Sequence, residues 1–378
     1  MKKFFFVLGT RPEAIKLSPL ILLLKKKKIF KIKILITSQH KQMLTQVLNY
    51  FKIKPDYDLN VMKKNQKLEE LSIKLLSKIT PILKKEKPDC VVVQGDTTSA
   101  SMGALSAFYN QIDVAHIEAG LRTYDIYQPY PEEMNRKIIS SIAKFHFTPT
   151  KFAKDNLLKE NIDKKYIFNT GNTVIDSLFY VLKDVKKNRK KYIRKFNEIL
   201  KCNLDKKIII TVTFHRRENL KDGIENICNA ILELSKKYKD IYFIIPVHLN
   251  PKIKSFFNKI FKNINNVILT NPLNYNIFIY LISRSYLVIT DSGGVQEESP
   301  YLKKPILIIR NKTERLENLE NNTGILCGIN KNFLKKNVEN LLKNKKFYKK
   351  MISSKKLLGN GNACEKIFYN LKKNIYKN

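Results

Sequence analysis

Short apolar runs that stop abruptly at polar motifs constrain the fold of this chain more than any other feature. Residues 91–93 are three valines, and a polar turn containing Asp96 follows them directly. Segment 99–107 is rich in small residues and suits a helix, and a second apolar run, 112–117, ends at Glu118. Strands that alternate with helices at this spacing predict an α/β fold with a parallel, doubly wound sheet.

The same pattern continues along the chain and predicts two domains. The length of 378 residues suffices for two domains that each bury a core. Residues 1–170 are assigned to the first domain and 171–361 to the second, with the hinge at 170–176. Segment 55–67 is predicted to be a polar connection, and the lysine-rich segment 184–206 a surface helix with loose ends. Further strands are expected at residues 3–8, 32–36, 138–147, 166–169, 207–213, 241–247, 267–269, 287–290 and 305–309.

The net charge of +38 does not indicate a nucleic-acid-binding protein. Such proteins concentrate their cations on one face and often interleave aromatic side chains. Here the lysines are distributed over the whole chain together with many Ile and Asn residues, which is the composition of an AT-rich genome. We therefore expect no nucleic-acid partner.

No apolar run approaches the length of a membrane span. The longest, 17–24, contains Pro19 and ends in four lysines, and the amino terminus lacks the layout of a signal peptide. The five cysteines are odd in number, widely spaced and never in a Cys-x-x-Cys pair. These features predict a cytoplasmic protein without membrane insertion and without a zinc site.

The arginines are informative because this sequence otherwise uses lysine as its cation. An arginine kept in such a composition suggests a need for the planar fork that holds phosphate or carboxylate. Some of these arginines could instead brace neighbouring loops. There are ten, and seven lie in motif-like loops: Arg11, Arg122, Arg136, Arg216, Arg217, Arg310 and Arg315.

Two carboxylates follow neighbouring strands of the first predicted sheet. Ligands of open parallel sheets bind at the carboxyl edge of the strands, so Asp96 and Glu118 should face one crevice. Taken alone, each carboxylate could equally be a helix cap or a surface charge.

A helix is predicted to begin directly after the first strand. Thr10 and Glu13 have the spacing of a capping box, and Pro12 suits the first helical turn. With Arg11 and Lys16 nearby, the amino end of this helix is suited to an anion.

Segment 291–298 is the strongest candidate for a phosphate-binding segment in the sequence. It follows the strand predicted at 287–290, and its two glycines allow a ligand to approach the backbone closely. The hydroxyl of Ser292 and the start of the next helix suit a pyrophosphate, and Glu298 suits ribose hydroxyls. A plain strand-to-helix turn is the alternative. The segment is neither a Walker loop nor Gly-x-Gly-x-x-Gly, which disfavours nucleoside triphosphatases and dinucleotide enzymes.

Taken together, these motifs resemble the non-hydrolysing bacterial UDP-N-acetylglucosamine 2-epimerases. The resemblance implies the glycosyltransferase-B architecture, in which two Rossmann-like doubly wound domains face a cleft. It also implies a homodimer, and a carboxyl-terminal helix at about 362–378 that completes the first domain. The matching motifs occur in order at residues 9–16, 94–98, 116–122, 131–136, 170–173, 215–218, 246–251 and 291–298.

The resemblance implies a reaction and a set of site residues. The reaction is reversible epimerisation at carbon 2 of the sugar, by elimination of UDP to 2-acetamidoglucal and re-addition, without metal or cofactor. The implied catalytic residues are Asp96, Glu118, Glu132, Arg136 and His215. The implied UDP and phosphate ligands are Arg11, Lys16, Arg216, Ser292, Gly293, Gly294, Glu298 and Arg315, and Arg136 and His215 are also expected to stabilise the phosphates.

Some members of this family bind a second UDP-N-acetylglucosamine as an allosteric activator. The residues at the corresponding positions are Gln39, His40, Gln42, Arg217 and His248. The chain departs from the family pattern at three positions: Asn65 replaces an expected basic residue near this second site, Phe214 replaces Gly before the His-Arg-Arg motif, and Leu316 replaces Pro.

Other functions remain open at this stage. A hydrolysing epimerase would release UDP and free N-acetylmannosamine, and a UDP-diacetamido sugar could be the true substrate. A retaining glycosyltransferase would share the fold but has no evident use for three carboxylates. A non-enzymatic UDP-sugar-binding protein would bind without turnover. The product is expected to enter the synthesis of a cell-surface polysaccharide.

Overall fold

The apolar runs of the sequence form parallel strands that are buried on both faces. In the first strand, residues Phe4, Phe5 and Phe6 are inaccessible to solvent. Such strands occur where helices cover both faces of a parallel sheet. The computed structural model describes residues 1–38, 41–63, 66–214, 223–247, 251–311, 319, 321–353 and 358–375.

The chain forms two units, and the first contains a seven-stranded parallel sheet. This first unit comprises Met1–Tyr180 and Leu357–Asn378. Its strands are β1 (Lys3–Leu8), β2 (Lys31–Ile36), β3 (Tyr57–Asp58), β4 (Cys90–Gln94), β5 (Asp113–Ile117), β6 (Phe145–Thr148) and β7 (Ile167–Asn169). Their order is β3-β2-β1-β4-β5-β6-β7, so the direction of strand addition reverses between β1 and β4.

Helices cover this first sheet. They are α1 (Arg11–Lys27), α2 (Lys41–Tyr50), α3 (Leu68–Glu86), α4 (Thr98–Tyr109), α5 (Glu132–Ile142), α6 (Lys151–Lys159) and the start of α7 (Thr173–Lys187). On α3, leucine and isoleucine side chains four residues apart, from Leu71 to Leu83, form the buried face. Gly103 lets α4 approach β1 closely, because a Cβ there would lie 3.1 Å from Val7.

The second unit, Val181–Lys356, contains a six-stranded parallel sheet. Its strands are β8 (Ile208–Thr213), β9 (Ile241–Pro246), β10 (Val267–Thr270), β11 (Leu287–Thr290), β12 (Ile306–Ile308) and β13 (Gly324–Leu326). Their order is β10-β9-β8-β11-β12-β13, with the reversal between β8 and β11. The predicted fold class, α/β with two doubly wound sheets of the glycosyltransferase-B type, is confirmed.

Helices of the second unit follow its strands in alternation. They are α8 (Arg189–Leu200), α9 (Gly223–Lys237), α10 (Pro251–Ile260), α11 (Tyr275–Arg284), α12 (Gly293–Glu298), α13 (Lys331–Lys343) and α14 (Lys345–Ile352). The last helix, α15 (Ala363–Ile375), belongs again to the first unit.

The division between the units falls after Tyr180, whereas the sequence suggested residue 170. Helix α7 is continuous across this point, and its first turn is bonded within the first unit. The Ser177 hydroxyl donates to the Ile15 carbonyl at 2.5 Å, and Asp176 accepts from the backbone N–H groups that begin α15. The segment predicted as a hinge therefore begins a helix of the first unit.

Four segments differ from the expectations. Residues 138–147 are not one strand, because α5 continues to Ile142 and buries Ile139 before β6 begins. The connection 55–67 contributes the two-residue edge strand β3. Strand β13 was not predicted, since it is only three residues long.

The fourth difference is segment 184–206, which is not a loose surface helix. It contains α8, whose residues Tyr192, Phe196 and Leu200 recur every four positions and are buried against the second sheet. Its many lysines conceal this apolar face in the sequence.

Two global features bear on the chemistry. In the described part of the chain no helix combines the length and apolarity that crossing a bilayer requires. The five cysteines are free thiols, and burial raises the pKa of Cys228 and Cys327 to about 12, which leaves these two unreactive.

Candidate active site

The polar motifs of the first unit lie at the carboxyl edge of its sheet, next to the reversal between β1 and β4. Segment 9–16 follows β1, Asp96 follows β4, and Glu118 follows β5. The last two are close in space, because a Cβ placed on Gly95 would lie 3.7 Å from Glu118 Oε2. This is the edge at which open α/β sheets bind ligands.

Glu118 is a buried carboxylate held by donors from three other segments. Lys16 of α1 donates to Oε1 at 2.5 Å, and Asn172 donates to the same oxygen at 2.9 Å. Gln94, at the end of β4, donates to Oε2. The backbone of Glu118 is left-handed, with φ of +65°, which is uncommon for a residue with a side chain. Three side-chain donors therefore hold this carboxylate at the sheet edge.

Asp96 is paired with Arg136 from the start of α5. Arg136 Nε and Nη2 lie 2.9 and 2.7 Å from Asp96 Oδ2, and Nη1 donates to Glu133 Oε2 at 2.7 Å. Asn135 also donates to the Asp96 carbonyl at 2.9 Å. Burial alone would lower the pKa of Arg136, but the charges of Asp96 and Glu133 outweigh it and raise that pKa. The arrangement keeps Asp96 close to a fixed positive charge.

These contacts change the expected part played by two cations. Lys16 and Arg136 were expected to hold phosphate oxygens, yet the contacts described here direct them to Glu118 and Asp96. Each carboxylate therefore has a cation as its direct neighbour. Direct binding of phosphate by these cations stays a prediction.

Two further carboxyl groups of the site, Glu133 and Glu13, are buried. The sequence did not reveal all of their contacts. Glu133 is 0 % exposed; besides Arg136, the backbone N–H groups of Thr123 and Tyr124 donate to it, each at 3.1 Å. It therefore fixes both the loop before α5 and the guanidinium that holds Asp96. The sequence signal is the Glu132-Glu133 pair at a helix start, but only the fold distinguishes the half-buried Glu132 from the buried Glu133.

Glu13 joins the loop after β1 to the loop after β4. Its Oε2 accepts from the backbone of Gly9 and Thr10 and from the Thr10 hydroxyl, and its Oε1 accepts from the Thr97 hydroxyl at 2.9 Å. Burial raises the pKa of Glu13 to about 7, although all of these hydrogen bonds act in the opposite direction. The capping-box prediction identified the local bonds but not the bond to Thr97.

Among the other residues that the sequence singled out, Arg122 and His116 take structural positions. Arg122 forms a bidentate pair with Glu160, at 2.7 and 2.6 Å, so this arginine braces two loops. Arg11 is half-buried at the start of α1, and Glu132 is the first residue of α5. His116 is buried, and burial lowers its pKa to about 3, so the neutral ring donates from Nε2 to the Gly95 carbonyl at 2.8 Å.

In the second unit, the predicted phosphate segment lies at the sheet edge next to the reversal between β8 and β11. Ser292 follows β11 and precedes α12, with Gly293 and Gly294 as the first helical residues. The Ser292 N–H donates to the Thr290 hydroxyl at 3.0 Å, which fixes the turn. Gly294 is exposed, and a Cβ at this position would meet no atom within 4 Å.

Glu298 ends α12 as a buried carboxylate of the second unit. Its Oε1 accepts from the hydroxyl of Tyr275, the first residue of α11, at 2.7 Å. Phe214, a departure from the family pattern, packs against the core of this unit with its ring 5.2 Å from that of Phe257. Its bulk is thus accommodated by the core.

Several expected site residues lie outside the described residues. These are Gln39, His40, His215, Arg216, Arg217, His248 and Arg315, together with the departures Asn65 and Leu316. Of the second-site set, Gln42 is described and is exposed on α2. Within the described ranges, no group of three or more His, Cys, Asp or Glu side chains could hold a metal ion.

Comparison with known proteins decides the family. The sequence model of the family described as UDP-N-acetylglucosamine 2-epimerase matches residues 23–372. The chain belongs to the UDP-N-acetylglucosamine 2-epimerase family. The predicted resemblance and the predicted enzyme class, an isomerase, are thereby confirmed.

Individual members of this epimerase family are similar over almost their whole length. The UDP-N-acetylglucosamine 2-epimerase of Campylobacter jejuni is 46% identical over 370 residues, covering 97% of this chain and 96% of that protein. The enzyme of Escherichia coli K12 is 44% identical over 372 residues, covering 98% and 99%.

Solved structures of the family share the fold. The UDP-GlcNAc 2-epimerase from Neisseria meningitidis, bound to UDP-GlcNAc, gives a TM-score of 0.93 at 44% identity, covering 98% of this chain and 100% of that chain. The Methanocaldococcus jannaschii enzyme, in complex with UDP-GlcNAc and UDP, gives 0.86 at 38% identity, covering 98% and 99%.

Proposed function

We propose that this chain interconverts UDP-N-acetylglucosamine and UDP-N-acetylmannosamine at carbon 2 of the sugar. The single observation that carries the proposal is the pair of carboxylates, Asp96 and Glu118, each held by a cation at the sheet edge. Proton transfer at carbon requires a positioned acid or base, and two carboxyl groups can serve the two faces of one sugar. Membership in the epimerase family supports the substrate.

The proposed route is elimination followed by re-addition. The proton at carbon 2 has no adjacent carbonyl, so its direct removal is very difficult. In the forward step a carboxylate removes this proton while the bond from carbon 1 to the phosphate oxygen breaks, giving 2-acetamidoglucal and UDP. In the return step UDP adds to carbon 1, and a carboxylic acid protonates carbon 2 on the opposite face. Atoms and charges balance without a redox step.

The chain's own residues are assigned complementary parts in this route. Asp96, Glu118 and Glu132 form the acid–base set, while Arg11, Lys16, Arg136, His215, Arg216 and Arg315 provide positive charge and donors near the departing pyrophosphate. The turn at Ser292, Gly293 and Gly294 offers backbone N–H groups to a phosphate, and Glu298 accepts hydrogen bonds from ribose hydroxyls. Tyr275 orients Glu298 for this contact.

The decisive experiment is proton NMR of the purified protein with UDP-N-acetylglucosamine in deuterated water. The expected result is UDP-N-acetylmannosamine, with deuterium at carbon 2 of both epimers. Release of UDP and free N-acetylmannosamine would assign the chain to the hydrolysing class. Binding without exchange would reject this substrate, and UDP-diacetamido sugars would be tested next.

The proposal extends to assembly as a homodimer. Exposed apolar side chains support it: Ile73 on α3 is 67% exposed, and Phe108 and Tyr109 at the end of α4 are 56% and 65% exposed. The two helices pack against each other. Light scattering after gel filtration should give twice the chain mass of 44.2 kDa, and Phe108→Glu should shift this toward the monomer. A monomeric wild-type protein would reject this part.

The proposal also includes a second UDP-N-acetylglucosamine site that activates the enzyme, with Gln42 as its described member. Activation predicts that UDP-N-acetylmannosamine alone is converted slowly and that a trace of UDP-N-acetylglucosamine accelerates this conversion. A rate that does not respond to the trace would remove the second site from the proposal. We further propose a cytoplasmic enzyme whose product supplies a surface polysaccharide.

A further inference from the structure

Asn172, immediately before α7, connects three parts of the first unit. The residue is 2% exposed. Its side-chain Nδ2 donates to Glu118 Oε1 at 2.9 Å, and its Oδ1 accepts from the Val174 N–H at 3.0 Å. Its own backbone N–H donates to the Leu358 carbonyl at 2.8 Å. One buried side chain therefore caps α7 and contacts the carboxylate at the centre of the candidate site.

The two contacts of the side chain fix its orientation. The Val174 N–H can only donate, so the oxygen of the Asn172 amide must face it. The amide nitrogen then faces Glu118 and donates to its Oε1. The opposite orientation would bring two oxygens together at Glu118 and two N–H groups together at Val174.

The helix that carries this donor begins in one unit and continues into the other. Its first turn is fixed in the first unit by Ser177, which donates to Ile15, and by Asp176, which caps α15. The helix then passes the division after Tyr180 and ends at Lys187. Asn172, which donates to Glu118, therefore lies at the start of a long helix that is fixed by several separate hydrogen bonds. These bonds define the position of the donor.

We infer that Asn172 is a positioning residue for the proposed epimerisation, which holds Glu118 ionised and aimed from the cap of α7. The inference rests on the proposed function. A carboxylate that removes a proton from carbon 2 must be unprotonated beforehand, and a hydrogen-bond donor favours that form. Asn172 acts on the sugar only through Glu118.

The other groups that face Glu118 allow this effect to be isolated. Lys16 from α1 and Gln94 from β4 keep their own contacts when Asn172 is changed. His116, on β5, lies two residues before Glu118 and could carry a positive charge. Burial lowers the pKa of His116 to about 3. His116 is therefore neutral above pH 5 and cannot produce a change of rate there.

The test is Asn172→Ser, because serine also caps helices well but is too short to reach Glu118. We expect kcat to fall about ten- to a hundredfold, which is the usual effect of losing a hydrogen bond to a charged group. KM should change little. The acid limb of the pH–rate profile should move to higher pH by about one unit. Asn172→Asp keeps the cap and places a second carboxylate beside Glu118, so it should move that limb further.

Asn156→Ser is the matched control. Asn156 is equally buried on α6, and its amide bridges the Gly120 carbonyl at 2.9 Å and the Tyr124 hydroxyl at 2.7 Å. It braces the loop after Glu118, and neither of these two contacts is with a carboxylate. The control should lose stability and leave the acid limb where it is in the wild-type enzyme.

The outcomes separate this inference from the proposed function. If the wild-type protein fails to exchange deuterium, the proposed function fails, and the inference is then judged from unfolding alone. The difference in unfolding free energy between wild type and Asn172→Ser should shrink as the pH falls and Glu118 becomes protonated. An acid limb that stays in place in the active variant, or a pH-independent difference in unfolding, overturns the inference.

Discussion

The polar residues at the carboxyl edges of the two sheets are held in place in different ways. At the edge of the first unit, charged side chains are paired: Glu118 with Lys16, and Asp96 with Arg136. At the edge of the second unit, a turn containing Gly294 presents its backbone, and Glu298 is held by a neutral hydroxyl. Fixed charges suit proton transfer, because they are oriented before the reaction begins. An open turn suits a ligand that brings its own charge.

A glycine at each edge illustrates the same difference. Gly9 follows β1, and a Cβ there would lie 2.6 Å from the Cβ of Ser99. The packing of the protein therefore leaves no room for a side chain at this position. Gly294 follows β11 and faces open space. The first glycine allows two segments of the chain to meet, whereas the second leaves room for something that is not part of the chain.

The largest expected effect comes from breaking the charged network of the first unit. Arg136→Met leaves Glu133 buried without its cation, so the unfolding free energy should fall by about 3–5 kcal/mol. Turnover should be lost as well, because Asp96 loses its fixed neighbour. Urea unfolding and the deuterium exchange assay measure these two effects.

An exposed ion pair of the second unit is the control for this prediction. Arg194 and Glu198 on α8 lie 3.2 Å apart but are both exposed. Arg194→Met should therefore change stability by less than about 1 kcal/mol. Adding Glu133→Gln to Arg136→Met should restore part of the lost stability, since it removes the unpaired charge. Equal losses at the two pairs would contradict the view that burial makes the Arg136 network costly to break.

The second prediction is that low pH destabilises the first unit before it destabilises the second. Burial lowers the pKa of His116 to about 3 and that of His146 to about 4. Both lie below the ordinary 6.5, so the unfolded chain binds more protons and stability falls as the pH drops below 6.5. The loss is about 2 kcal/mol for each histidine at pH 5. Hydrogen exchange by mass spectrometry should show β5 and β6 losing protection while β11 and β12 keep theirs.

Glu13 adds the opposite trend between about pH 4.5 and 7. Its pKa is raised to about 7, so the folded state holds its proton more tightly, and stability falls as the pH rises from about 4.5 through 7. Glu13→Gln should flatten that limb and leave the acid limb, which belongs to His116 and His146. Uniform loss of protection in both units at pH 5 would count against this assignment.

The third prediction concerns packing at the first edge. Gly9→Ala forces a Cβ against Ser99 and brings it within 3.0 Å of the Thr37 hydroxyl, so the unfolding free energy should fall by about 1–3 kcal/mol. Gly9→Ala combined with Ser99→Ala should recover part of this loss, because the obstructing hydroxyl is removed. A variant as stable as the wild type would show that the loop can shift at little cost.

The sequence was sufficient for features that depend on neighbours along the chain. Apolar runs predicted most strands, and the polar residues at their ends gave Asp96 and Glu118, because strand ends of a parallel sheet meet at one edge. The capping-box spacing gave the start of α1. In each case the residues that form the sequence pattern lie within a few positions of the structural feature that they predict.

Features that depend on distant partners could not be predicted in this way. Glu13 bonds Thr97, 84 positions further along the chain, and the cap of α7 meets Glu118 across 54 positions. Whether Glu132 or Glu133 is buried depends on how α5 packs against the sheet. The buried face of α8 is concealed because basic residues surround its aromatic side chains in the sequence, as Lys190, Lys191, Arg194 and Lys195 do.

The smallest effect on stability is expected at Gly294, and it tests what the open turn is for. Gly294→Ala adds a methyl group to a helical position where nothing lies within 4 Å, so the folded protein should be as stable as the wild type or more stable by about 0.4–1 kcal/mol. If a pyrophosphate approaches this backbone, the methyl group stands in its way, and KM should rise while kcat changes less. Calorimetric titration with UDP alone should show the same weakening, because UDP carries the phosphates without the sugar. Unchanged affinity for UDP in this stable variant would remove the turn from the nucleotide site, and the contrast between the two edges would then reflect packing alone.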